Sequence, residues 1–183
     1  ERNQKMITSH TLNARRKQSG ITLIEVSIGL IIAAIVAAAA FIAFQNNARR
    51  SEVQDNIKQI TEIISETKQK VGATSGYAGL NNTIAAQLSI LSSATVDNSY
   101  GGAIQLAAAS ATDDSLATLS WPNIEGDQCS DLALAVANGV NSFTVGTGNP
   151  VTVANGQLTL AQTTEICGTG DAPVNLVMTF GRR

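Results

Sequence analysis

The sequence predicts an α+β protein: one long N-terminal α-helix, membrane-spanning in its first half, packed through its second half on an antiparallel β-sheet head. Three observations carry that prediction. An uninterrupted apolar run occupies Ile21–Phe44. A single apolar stripe at helical spacing continues beyond it as far as Val71. After Gly72, short β-prone runs alternate with turn signals.

Residues 1–20 are polar and basic, with Arg2, Lys5, Arg15, Arg16 and Lys17 against the single acid Glu1. The apolar run follows abruptly and reads ITLIEVSIGLIIAAIVAAAAFIAF, with one charge, Glu25. At about 1.5 Å rise per residue this stretch reaches roughly 36 Å, enough for a hydrocarbon core of about 30 Å. The basic cluster before it places the N-terminal side in the cytoplasm. Arg49 and Arg50, just after the run, pull mildly the other way.

Beyond Gln45, apolar residues recur at Val53, Ile57, Ile60, Ile64 and Val71, one stripe of a helix, while Glu52, Asp55, Lys58, Glu62, Glu66 and Lys68 fall on the other face. Glu66 and Lys70 stand at i,i+4 in the favourable acid-to-base order. No proline interrupts 21–71, and Gly72 is a helix stop. The spacing therefore predicts one helix of about 50 residues, lipid- or bundle-facing in its first half and head-facing in its second.

Residues 72–183 form the head. Residues 72–102 read as a long connection with a short helix near Thr83–Leu91. Strands are predicted at Ile104–Ala109, Leu116–Trp121, Ser142–Val145, Pro150–Ala154, Gln157–Ala161 and Val174–Phe180, with Pro122 ending the second. Turns are predicted at Thr112–Ser115, at Gly146–Asn149, and at Asn155-Gly156, a two-residue hairpin signal. Asp131–Asn138 reads as a short helix.

Composition narrows the chemistry. Residues 21–183 hold seven basic and thirteen acidic side chains, and from Gly72 onward the only bases are Arg182 and Arg183. So acidic a head has no phosphate-binding footprint, and nucleic acid is not an expected partner. The one histidine, His10, lies in the basic leader. A chain cut after residue 20 has none, which removes the Ser-His-Asp triad and the commonest zinc ligand. No G-x-S-x-G occurs, and neither an enzyme nor a cofactor or metal is expected. Asp113 and Asp114 read as turn residues rather than calcium ligands. The two cysteines, Cys129 and Cys167, most simply form one disulfide in an exported chain; two buried free thiols are the alternative. Trp121 reads as a packed core or interface aromatic.

The most informative stretch is RRKQSGITLIEV, Arg15–Val26. Its glycine precedes the apolar segment, and no A-x-A-like site follows, so a cut after Gly20 leaves the hydrophobic helix on the mature chain. A carboxylate inside that helix is costly unless paired. Such a cut creates a cationic amine on Ile21, one helical turn before Glu25.

This stretch resembles the class III signal of type IV prepilins and pseudopilins, through Gly20, the apolar Ile21 and Leu23–Ile24, and Glu25. The resemblance implies cleavage after Gly20 by a membrane-embedded prepilin peptidase and N-methylation of Ile21. It also implies that Glu25 neutralises the N-terminus of a neighbouring subunit during assembly. The rest of the chain is similar to the family in its long helix, polar loop, antiparallel sheet and cysteine-bounded region, here 129–167, whose first segment resembles a short helix of type IVb pilins. Isoleucine at 21, where type IVa pilins carry phenylalanine, and a leader of about twenty residues also favour the b subclass. The implied protein is a structural pilus subunit, a homo-oligomer in helical filaments. It sits single-pass in the inner membrane with a cytoplasmic N-terminus before an assembly platform exports it to the extracellular pilus. A minor pilin or a type II secretion pseudopilin shares the leader and Glu25; a monomeric membrane-anchored binding domain predicts no cut at Gly20.

Overall fold

The computed structural model describes residues 22–112 and 114–181. The chain divides between Phe44 and Gln45 into two compact units. In the first unit the described residues are helical from Leu23, the start of α1, which runs Leu23–Thr67. The helix has the length and composition to cross a membrane. Leu23, Ile24, Leu30, Ile35, Val36, Phe41 and Phe44 are exposed. Apolar side chains laid bare all round a helix require lipid or neighbouring helices to cover them.

In the second unit the last turns of α1 bury Val53, Asn56, Ile60, Ile63, Ile64 and Thr67. The stripe read from the sequence is thus wider than Val53, Ile57, Ile60 and Ile64: Ile63 and the polar Asn56 and Thr67 share it, and Ile57 sits at its half-buried edge. A π-helical turn, Lys68–Gly72, closes the helix, so the regular α-helix stops short of the expected Val71. Gly72 matters there for space, since a Cβ would run into the Tyr77 hydroxyl.

The sheet has five strands, all antiparallel, in the order β1-β2-β5-β3-β4: β1 Gln105–Ala108, β2 Leu116–Ile124, β3 Ser142–Val145, β4 Val151–Thr152 and β5 Val174–Gly181. Alternation sorts their faces. Ala117, Leu119 and Trp121 of β2, Phe143 of β3, and Leu176, Met178 and Phe180 of β5 point into one core with Ile60, Ile63 and Ile64 of α1. The last strand pairs between β2 and β3, at the centre of the sheet.

Four local expectations need correction. The helix α2 is Asn82–Gln87, shorter than Thr83–Leu91, with Asn81 as its N-cap. Strand β2 does not end at Trp121 but continues to Ile124. Its register shifts between Trp121 and Ile124, so the missing N–H of Pro122 falls where the ladder is interrupted. The helix α3 is Gly126–Val136 and begins before Cys129, not after it. Residues 157–161 are not a strand: Thr159 caps the helix α4, Leu160–Cys167, in a reciprocal capping box with Gln162. The Asn155-Gly156 turn itself forms, with both residues at positive φ (55° and 73°), but it closes only one bridge, Ala154 to Gln157.

Candidate functional site

The processing and assembly residues expected from the sequence are Gly20, Ile21 and Glu25. Gly20 and Ile21 lie outside the described residues. Glu25 is described, and it is not solitary. Its Oε2 accepts from the backbone N–H of Thr22 at 3.2 Å and from the Thr22 hydroxyl at 3.1 Å. In return the Glu25 N–H donates to Thr22 Oγ1 at 3.4 Å, and the Val26 N–H donates to the Thr22 carbonyl at 3.2 Å. These bonds make Thr22 the N-cap and Glu25 the third helical residue of a capping box. The sequence reading overlooked Thr22, although its signature, T-x-x-E before an apolar run, is present in the chain.

The other candidate pair lies in the head. Cys129, in the first turns of α3, and Cys167, the last residue of α4, are disulfide-bonded, with Cα atoms 5.6 Å apart across 38 residues of chain. Both are buried. The bond ties the two helices flanking β3 and β4, so the segment they bound is anchored at each end.

The start of α3 also meets α1 through polar contacts. Arg49 forms an ion pair with Asp127. Gln128 Nε2 donates to Glu125 at 2.8 Å and to Glu52 at 3.3 Å, while its Oε1 accepts from the Tyr100 hydroxyl at 2.7 Å. Burial pushes the Tyr100 phenol well above its usual range, and the carboxylates of Glu52, Glu125 and Asp127 push the same way. A neutral Tyr100 is therefore a fixed donor to Gln128. Asn46, Arg49, Arg50, Val53, Gln54 and Ile57 of α1 face Asp127, Gln128 and Asp131 of α3 across a shallow open groove of about 550 Å³. The groove mixes cations with acids and holds no convergent catalytic set. No cluster of three or more metal-ligating side chains occurs among the described residues.

Deeper in, Asn56 joins three elements. Its Oδ1 accepts from Trp121 Nε1 at 3.0 Å, and its Nδ2 donates to the Glu52 carbonyl and to Ser99 Oγ. Sequence reasoning placed Trp121 in the core, where it is fully buried, but could not find its partner 65 residues away.

Comparison with known proteins gives the same picture from both ends of the chain. A prokaryotic N-terminal methylation motif matches residues 15–41. A family described as PilS N terminal matches residues 50–179. No curated protein matches the chain. Among solved structures, the fold is similar to TcpA, a type IV pilin from Vibrio cholerae El Tor biotype, at 16% identity and a TM-score of 0.51, covering 70% of this chain and 98% of that one. The crystal structure of a type IV b pilin from Salmonella typhi matches at 18% identity over 73% of this chain and 98% of that chain, with a TM-score of 0.47. The NMR structure of the type IVb pilin PilS from Salmonella typhi matches at 17% over 71% and 96%, with a TM-score of 0.46. With a methylation motif across its apolar helix and the PilS match across its head, the chain belongs to the type IV pilin family, in the group described as PilS N terminal.

Proposed function

We propose that this chain is the structural subunit of a type IV pilus of the b subclass. It is inserted in the inner membrane as a prepilin with its N-terminus in the cytoplasm. A prepilin peptidase cuts it after Gly20 and Ile21 is methylated. An assembly platform then polymerises it, through the apolar helix, into surface filaments that serve adhesion, aggregation or motility. Its role is mechanical rather than enzymatic.

One observation carries the reading. A lone carboxylate, Glu25, stands in the first turn of a helix whose apolar residues are exposed over their whole girth, five residues after the glycine that ends a basic leader. An isolated helix of this kind is stable in lipid, and its surface is covered again only when other helices surround it. The acid opposes that burial unless a cation meets it. A cut after Gly20 supplies the cation at the right end of the helix, as the amine of Ile21. Charge pairing between one subunit's Glu25 and the next subunit's amine then favours a defined axial stagger.

The test is Glu25→Gln, which keeps shape and loses charge. Cleavage should proceed, filaments from the variant alone should nearly vanish, and the variant should still co-assemble with wild-type subunits, whose acids can accept its amine. Abundant filaments built from Glu25→Gln alone would remove the carboxylate from the account.

A further inference from the structure

From the cleft at the bulge of β2 we infer that the head binds a neutral saccharide: Gln105, Asn123 and Asn175 present side-chain amides around one uncharged depression on the outer face of the sheet. Saccharide binding there needs only the folded head, so it stands or falls independently of polymerisation.

The bulge shapes the cleft. Trp121 pairs with Leu176 and Ile124 with Val174, so Pro122 and Asn123 together stand opposite the single Asn175. Asn123 takes a left-handed backbone, φ 61°, uncommon for a residue with a side chain. Its N–H donates to Asn175 Oδ1 at 2.9 Å, which occupies one end of that amide and leaves Nδ2 as a donor. Gln105 pairs with Ser120 across β1 and β2, and Ser120 pairs with Val177 of β5. Side chains alternate along a strand, so these three point away from the core that Leu106, Leu119, Leu176 and Met178 enter. With the Pro122 ring and bare glycine backbone they line an open cleft of about 450 Å³. No residue lining it is charged, on a head rich in acids.

That lining selects a ligand class. A side-chain amide is donor and acceptor at once, and so is a sugar hydroxyl. The Pro122 ring and the Val177 methyl groups offer apolar surface to the C–H face of a pyranose. An anionic or cationic ligand would lose its hydration there with no opposite charge to meet it. An extended peptide is held by an open strand edge, yet β2 and β5 are interior strands of the sheet. The volume is within the range of small-molecule sites. Where such heads polymerise, repetition adds avidity to a weak single site, and only that gain rests on the assembly reading.

The experiment uses the full-length chain in a detergent without a sugar headgroup. Lactose, chitobiose and the anionic sialyllactose are titrated while backbone amide resonances are followed. Lactose or chitobiose should bind saturably at millimolar concentration, with shifts centred on Gly102, Ser120, Asn123 and Val177. Gln105→Glu and Asn175→Asp keep size, and the second keeps the acceptor for the Asn123 N–H. Each should weaken binding about tenfold, the loss of one hydrogen bond. Gln87→Glu, the same change on the exposed side of α2, should leave it unaltered. If Asn175→Asp disturbs amides beyond the cleft, Gln105→Glu decides. No saturable binding of either neutral sugar, tighter binding of sialyllactose than of lactose, or wild-type affinity in Gln105→Glu would overturn the inference.

Discussion

Trp121 Nε1 donates to Asn56 Oδ1 at 3.0 Å, with both residues buried. This one bond fastens the last turns of α1 to strand β2 within the head. An indole N–H taken out of water needs an acceptor, and Asn56 is placed on the buried stripe of α1 to supply it.

Asn56→Leu should therefore destabilise the head by about 2 kcal/mol, the cost of leaving a buried donor unsatisfied. The cost should shrink in a Trp121→Phe background, where no donor remains to be orphaned. Denaturant unfolding of the detergent-solubilised chain measures both effects. For the single Asn56→Leu variant, Trp121 is the only tryptophan and reports its own environment by fluorescence. Equal losses in the two backgrounds would show that the bond contributes nothing specific.

The long helix, the burial of Trp121, the Asn155-Gly156 turn and most strands were legible in the sequence because each depends on local period or turn chemistry. The misreadings have identifiable physical causes. Gln157–Ala161 alternates like a strand, yet Thr159 and Gln162 cap a helix reciprocally, and that local signal prevails after a single bridge. The first turn of α3, Gly126–Cys129, has no apolar period to announce it and is held by contacts from Arg49, Glu52 and Tyr100. Pro122 would stop a continuous ladder, but it falls at a register shift that only pairing with β5 reveals. Thr22, like Thr159, was readable from its T-x-x-E/Q signature and overlooked. The Asn56–Trp121 and Arg49–Asp127 contacts join distant segments, which no window along the chain can show.

Cys129 and Cys167 bound a 38-residue span, and on the chain-entropy account their bond stabilises the head by about 3–4 kcal/mol. Non-reducing peptide mapping of the exported protein should recover one linked pair. A Cys129→Ala, Cys167→Ala double variant should unfold at clearly lower denaturant and give fewer or more fragile filaments. Two alkylatable thiols in assembled protein would contradict this.

The outer edge of β1 is guarded by a side chain that imitates a strand. Asn82 Oδ1 accepts from the Leu106 N–H at 2.7 Å, and Asn82 Nδ2 donates to the Ile104 carbonyl at 2.9 Å. The Ala108 N–H is met by the Leu80 carbonyl at 3.1 Å. An unguarded edge invites pairing between heads, a hazard for subunits packed at high local concentration. Asn82→Leu should speed hydrogen exchange at the Leu106 amide by about tenfold, while Leu119 in the neighbouring strand keeps its protection. Unchanged exchange at Leu106 would show that the edge is held by something other than Asn82.

If a cut after Gly20 frees the amine of Ile21 and polymerisation then buries α1, intact mass and N-terminal sequencing of subunits from sheared surface filaments should show it. The expected subunit starts at Ile21, carries a methyl group on that amine, and contains one disulfide. Filament subunits that retain Arg15–Gly20, or the absence of this chain from surface filaments, would contradict it.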